Sequence, residues 1–245
     1  MHNNLLDALP RDLYRSLERT MERLMLKRGV VLHRPGRPIR HLYFPLTCLV
    51  SITITMKEGK TVECGVAGSR EMAGVNAFMG GWETTQTLYQ VQVPGYAVKM
   101  PAGPLLEAFD QHKAVRDVLL KYTQAHIAQI SQNAACNRVH DLTQRYARWL
   151  LEVRDRLQSD DIRLTREFAS EMLGVRRATV SGTSAMFQKR GVTSVRRGLT
   201  HIEDRRALER LACECYGVLK EENDRLLGVA GKHRPLRTVA DRRSR

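Results

Sequence analysis

Two pairs of adjacent arginines, Arg176–Arg177 and Arg196–Arg197, place bare positive charge where it needs an anionic partner. The first pair lies in FASEMLGVRRATVSGTSAMFQKRG, residues 168–191, where Gly174 separates two short amphipathic runs. A helix beginning near Arg176 starts with cations at the positive end of its macrodipole, which is unfavourable unless an anion meets it there. Two helices joined by a short glycine-containing turn make a helix-turn-helix. The second helix of that motif presents its N-terminal residues to base edges in the major groove. Arg176, Arg177, Thr179 and Ser181 are therefore the candidate DNA-reading residues. Downstream, GVTSVRRGLTHIED has the form of a β-hairpin with Arg196 and Arg197 at its tip, a wing that would lie along the DNA backbone. Between Ile162 and Arg210 there are eleven Lys/Arg against five Asp/Glu, so the basic excess coincides with the motif.

The whole chain carries the same bias. Its 245 residues hold 40 basic and 26 acidic side chains, a net charge of +14, which favours a polyanion as partner. With 42% hydrophobic residues a sizeable core is available, and the length suggests two domains. No apolar run approaches the roughly 18 residues of a spanning helix. MHNNLLDALPRD has no charged-then-apolar signal pattern, so a cytoplasmic protein that does not enter the membrane is expected. Cys48, Cys64, Cys136, Cys213 and Cys215 are odd in number and read as reduced thiols. Cys213 and Cys215 form a CxC pair, but no second pair or nearby histidine completes a zinc or cluster site in the sequence. They are expected as small side chains at the edge of a helical element, with no metal and no cofactor.

The elements that must position the arginines follow from periodicity. Leu5, Leu6, Leu9, Leu13, Leu17, Met21, Leu24 and Met25 recur at spacings of three and four, predicting helix from Leu5 to Leu26. From Gly29 to about Met100, LVSITITM, the turn KEGK, TVECGV, TLYQVQV and YAVKM predict a small antiparallel barrel or roll. Residues 115–157 lack proline and glycine and read as one long helix, with Val115, Val118, Leu119, Tyr122, His126 and Ile130 tracing a stripe along its first part. A partner helix from a second copy of the chain is the economical cover for that stripe, ahead of the alternative of packing on the chain's own domain, which makes these six residues the expected dimer interface. Thr165 is a candidate N-cap, Gly174 the turn and Gly191 the cap of the second helix.

This order of parts resembles the cyclic-AMP receptor protein/Fnr (Crp/Fnr) family of bacterial transcription regulators. The residues that carry the resemblance are LTREFASEMLGVRRATVSG, SVRRGLTHIEDRRALE, CECY at residues 213–216 and QNAACNRVHDLTQRYARWLL. It implies an α+β fold: a cyclic-nucleotide-binding-like β-roll over 1–110, a dimerisation helix over 111–136 and a winged helix-turn-helix over 137–225. Residues 226–245 are expected to be a disordered basic tail. The resemblance further implies a homodimer on a palindromic site in double-stranded DNA, with RNA polymerase as a further partner. Aligned on GVRRATV, Arg177 falls at a base-contacting position, while Ala178 and Gly182 replace longer polar side chains.

The effector site departs from the family pattern. Glu71 and Gly74 echo the first half of the phosphate cassette, and Thr84 and Thr85 could hydrogen-bond a ligand. Where the family's arginine should hold the cyclic phosphate, the chain has Glu83-Thr84-Thr85-Gln86. Loss of a charge-assisted bidentate contact argues against cyclic-nucleotide binding. The first 47 residues contain no cysteine, as an iron–sulfur member would need, and His33, His41 and His126 are expected as structural histidines rather than haem ligands. There is no nucleophile elbow, P-loop or HExxH, and Asp160-Asp161 sits in a linker, so no enzyme is expected. The alternative is an enzyme or small-molecule sensor whose basic surface is incidental.

Overall fold

The computed structural model describes residues 2–80 and 86–228. Glu83, Thr84, Thr85 and the basic tail from residue 229 onward lie outside the described residues. The fold is α+β, with a β-rich N-terminal half, a long helix and a C-terminal helix-turn-helix half.

Asn3 starts the chain's packing. Its side chain accepts from the N–H groups of Leu5 and Leu6, capping α1 (Asn4–Asp7), and donates to the carbonyls of Pro45 and Glu71. Pro10 then caps α2 (Arg11–Glu18). The single helix expected from Leu5 to Leu26 is corrected here: it breaks at Pro10, and its last part is β1 (Glu22–Leu26). β1 pairs along its length with β7 (Gly95–Pro101), and that pairing overrides the helical spacing of Met21, Leu24 and Met25.

The roll consists of two antiparallel sheets. One has the order β1–β7–β3 (His41–Pro45). The other has the order β2 (Val31–His33), β6 (Leu88–Val93), β4 (Leu49–Thr55), β5 (Thr61–Ala67). KEGK makes the β4–β5 turn as expected, with Gly59 at φ 80°. A 3-10 turn (Val75–Phe78) and α3 (Ala102–Gln111) close the roll.

The proline-free stretch is two helices, not one: α4 (Lys113–Val139) and α5 (Leu142–Leu157). Asp141 divides them with a capping box, accepting from Gln144 N–H at 2.9 Å while its own N–H donates to Gln144 Oε1 at 3.2 Å. The stripe on α4 also faces differently from expectation. Val115, Leu119 and Tyr122 are buried in this chain's own roll beside Leu42, Met72 and Leu105, with Val118 half-buried at the edge. Tyr122 is pinned there, its hydroxyl donating to the carbonyl of Met72 at 2.8 Å. His126 is pressed on Gly65 and buried enough to lower its pKa to about 4. Only Ile130, of the six expected interface residues, is exposed. The apolar side chains that α4 leaves uncovered include Leu120, Ile127 and Ile130.

α5 is buried from Tyr146 to Val153 and shares one core with both halves. Trp149, Leu150 and Val153 join Leu49, Val66 and Val93 of the roll to Phe168, Leu173 and Phe187. Beyond it come β8 (Asp161–Arg163), α6 (Arg166–Leu173), α7 (Arg177–Lys189), β9 (Thr193–Arg196), β10 (Leu199–Ile202), α8 (Arg205–Leu211) and α9 (Cys215–Leu227). The three strands form a sheet in the order β8–β10–β9.

Candidate nucleic-acid interface

Thr165 caps α6 by accepting from Phe168 N–H at 3.2 Å, and Gly174 turns the chain in the left-handed region at φ 65°. α7 then buries Val180, Ser184 and Phe187, with the Phe187 ring stacked on Tyr146 at 5.6 Å. That burial rotates the opposite face outward. Arg177, Ala178 and Gly182 are exposed along it and Ser181 is half-buried, while Arg176 and Thr179 stand exposed at the helix start. Arg176 occupies the N-cap and makes no side-chain cap, so the first N–H groups of α7 are left for an outside acceptor. Arg177 forms an ion pair across the turn with Glu167, both side chains largely in solvent. Solvent screening keeps that pair weak enough to be exchanged for a stronger anion.

The wing is a two-residue hairpin. Arg196 pairs with Leu199, and Arg197 and Gly198 between them both have positive φ, 46° and 79°. This is the type I′ geometry that suits hairpin twist. Arg197 is held in a region that side chains other than glycine, asparagine and aspartate rarely occupy, and both wing arginines project into solvent. The motif, cap, turn and wing thus sit where the sequence placed them.

Residues 144–211 match the model of the Crp-like helix-turn-helix domain. The matched segment starts inside α5 and ends with α8, so it contains α6, α7 and the β9–β10 hairpin. Most of the fold is shared with solved structures. FixK2 from Bradyrhizobium japonicum, 15% identical, superposes with a TM-score of 0.68 over 79% of this chain and 98% of that one. A Crp-family regulator from Thermus thermophilus, 19% identical, covers 78% and 96% with a TM-score of 0.63. The c-di-GMP-responsive regulator CLP of Xanthomonas campestris, 15% identical, covers 80% and 100% with a TM-score of 0.63. No curated protein shows a match to the sequence. Among the described residues, no helix is long and apolar enough to cross a membrane.

On the roll, the two described cassette residues are occupied by the protein itself. Glu71 accepts from Gly68 N–H at 2.8 Å and pairs with Arg156 of α5 at 3.1 Å. Gly74, at φ 112°, backs onto Leu42, where a β-carbon would approach to 2.9 Å. The buried charges continue from Arg156 to Glu152 and on to Arg148, which donates to Glu152 at 2.6 Å. Beside them Glu63 accepts from the Trp149 indole N–H at 3.1 Å. Burial pushes the Glu63 carboxyl up to about 8, against the Trp149 hydrogen bond. None of this network was foreseen from the sequence. His33 is packed edge-on between Tyr43 and Tyr89, consistent with a structural histidine.

Cys213 and Cys215 lie at the edge of α9 as expected, but a further cysteine and a histidine do stand beside them, which corrects the expectation of none. Cys136 and His140, from the end of α4, meet Cys213 and Cys215, and the four ligand atoms lie within 4.8 Å of one another.

Proposed function

We propose that this chain is a transcription regulator of the Crp/Fnr type, which binds a palindromic DNA site as a homodimer. The observation that carries the reading is the open N-terminus of α7, where Arg176 and Arg177 stand exposed beside the arginine-tipped wing. A phosphate or guanine placed there would meet free N–H groups and two guanidiniums together. Arg177, with Thr179 and Ser181, is assigned to base edges, and Arg196 and Arg197 to phosphates.

The dimer would form along α4. Leu120, Thr123, Ile127, Ile130 and Ala134 follow one another at alternating spacings of three and four, the seam of a two-stranded coiled coil. The large apolar members of this seam are uncovered in the single chain. Two chains so joined place two reading helices about one turn of DNA apart. RNA polymerase enters as a partner only through the family resemblance.

The roll, in this reading, does not take a cyclic nucleotide. Glu71 is taken up by Arg156, and the stretch of sequence that should supply an arginine has Glu83, Thr84 and Thr85. Genome-wide footprinting of the purified protein, with and without cyclic AMP or cyclic GMP, tests both parts. Palindromic footprints that neither nucleotide changes are expected. Absence of any sequence preference would overturn the regulator, and nucleotide-dependent footprints would overturn the reading of the roll.

A further inference from the structure

The group that the DNA-binding reading leaves unused is the one formed by Cys136, His140, Cys213 and Cys215. Two of these residues come from the last turn of α4 and its cap, spaced four apart on one face. The other two flank Glu214 at the corner between α8 and α9. The three cysteines are buried and form an apolar cluster of their own, with no aliphatic or aromatic member among the described residues. Three adjacent thiols clustered in this way are a poor way to fill a core. They are a good way to hold a soft or borderline cation.

The distances decide what kind. Cys136 Sγ and Cys213 Sγ are 3.6 Å apart, and Cys215 Sγ lies 3.6 Å from His140 Nδ1. Four ligands arranged tetrahedrally around one zinc, at about 2.3 Å for sulfur and 2.0–2.1 Å for nitrogen, would be separated by about 3.5–3.8 Å. These two separations match the edges of such a tetrahedron, and no two of the four ligand atoms are more than 4.8 Å apart. A disulfide between Cys136 and Cys213 would need the sulfurs at about 2.05 Å and would leave Cys215 and His140 without a role.

The surroundings are those of a metal site. His140 presents Nδ1 to the cluster, while its Nε2 lies 3.1 Å from the Glu214 carboxylate, which fixes the ring and its tautomer. Gln132 Nε2 donates to Cys215 Sγ at 3.0 Å. Three thiolates, one neutral imidazole and a dication sum to one negative charge, and the Arg148 and Arg145 guanidiniums are within electrostatic reach to offset it. We propose that Cys136, His140, Cys213 and Cys215 bind one zinc ion in a closed Cys3His site. On binding, the three thiols give up their protons and each sulfur donates an electron pair to the metal, with no change of oxidation state. The ion clamps the foot of α4 to the α8–α9 corner, and so couples the long helix to the helices that follow the wing.

Metal analysis of the full-length protein, purified without chelator, should find about one zinc per chain. A mercurial thiol reagent should release it. Cobalt(II) exchanged into the wild-type protein should give the thiolate charge-transfer and visible bands of a tetrahedral sulfur-rich site, a readout that does not depend on any variant folding. Cys136→Ser and Cys213→Ser should lose the metal, whereas Cys48→Ser, buried in the roll, should keep it. Protein that carries no metal and fails to take up cobalt, a native Cys136–Cys213 disulfide, or iron with acid-labile sulfide would each overturn the proposal. DNA binding is not read in this test, so its outcome stands apart from the regulator assignment.

Discussion

The guanidinium of Arg156, on α5, pairs with the carboxylate of Glu71, on the roll, at 3.1 Å, with the two side chains only 6% and 5% exposed. Burial opposes the charge on Arg156, but the Glu71 and Glu152 carboxylates outweigh it and raise its pKa. A buried pair of this kind is costly to break, because the remaining charge has no water. Glu71→Ala is expected to destabilise the chain by about 3–5 kcal/mol. The double replacement Glu71→Gln with Arg156→Met should cost less than the two single changes added together. Denaturant titrations of the four proteins measure the coupling, and additive effects would remove it.

The neighbouring Glu63 makes stability depend on pH. Its folded-state pKa, about 8, lies above the ordinary 4.5, so the folded chain holds a proton that the unfolded chain releases. Stability from neutral Glu63 is then complete below pH 4.5 and is lost as pH rises through 8. Glu63→Gln keeps an acceptor for Trp149 and cannot ionise. Its unfolding free energy, followed from about pH 5 to 9, should fall less steeply than that of the wild type. Parallel curves would mean that Glu63 is already ionised in the fold.

Two faces of α4 should respond oppositely to charge. Leu119→Glu buries a carboxylate in the roll and should cost about 4 kcal/mol or more, unfolding the N-terminal half. Ile127→Glu lies on the uncovered seam and should leave the fold intact while yielding monomers. Circular dichroism with light scattering separates the two. A folded Ile127→Glu dimer would move the interface elsewhere.

The reading helix and the wing should differ in how they treat sequence. A bidentate arginine–guanine contact is worth about 1–3 kcal/mol of discrimination. Arg177→Ala should weaken a cognate site about ten- to a hundredfold and relax preference at one position of each half-site. Arg197→Ala should weaken all duplexes alike and reduce the log–log salt slope by about one. Titrations on cognate and scrambled duplexes at several salt concentrations distinguish them. An equal loss on both duplexes for Arg177→Ala would make it a phosphate anchor.

The features that were legible in the sequence are the local ones. Thr165, Gly174 and Gly191 are cap and turn residues whose conformations depend on their immediate neighbours, and all three adopt the expected roles. The break between α4 and α5 was equally local, since DLTQ at 141–144 is a capping-box spacing, but the absence of proline and glycine masked it. What periodicity cannot supply is direction. α4 has apolar residues on two faces, and only the position of the roll decides that Leu119 is inside and Ile127 outside. The chemistry assembled from afar was invisible for the same reason. Cys136 and Cys213 are 77 residues apart, and nothing between them announces that the end of α4 meets the α8–α9 corner.

Gly68 sits where the roll touches α5 with no clearance. A β-carbon there would come within 2.4 Å of the Arg156 β-carbon and 3.3 Å of its α-carbon. Neither atom lies at the flexible end of a side chain, so the missing methyl group sets how closely the two halves can latch. A single added carbon at Gly68 would act as a wedge, biasing the halves apart without altering any DNA-facing residue. How far such a wedge shifts the affinity for an operator measures the work that docking does on the reading helix.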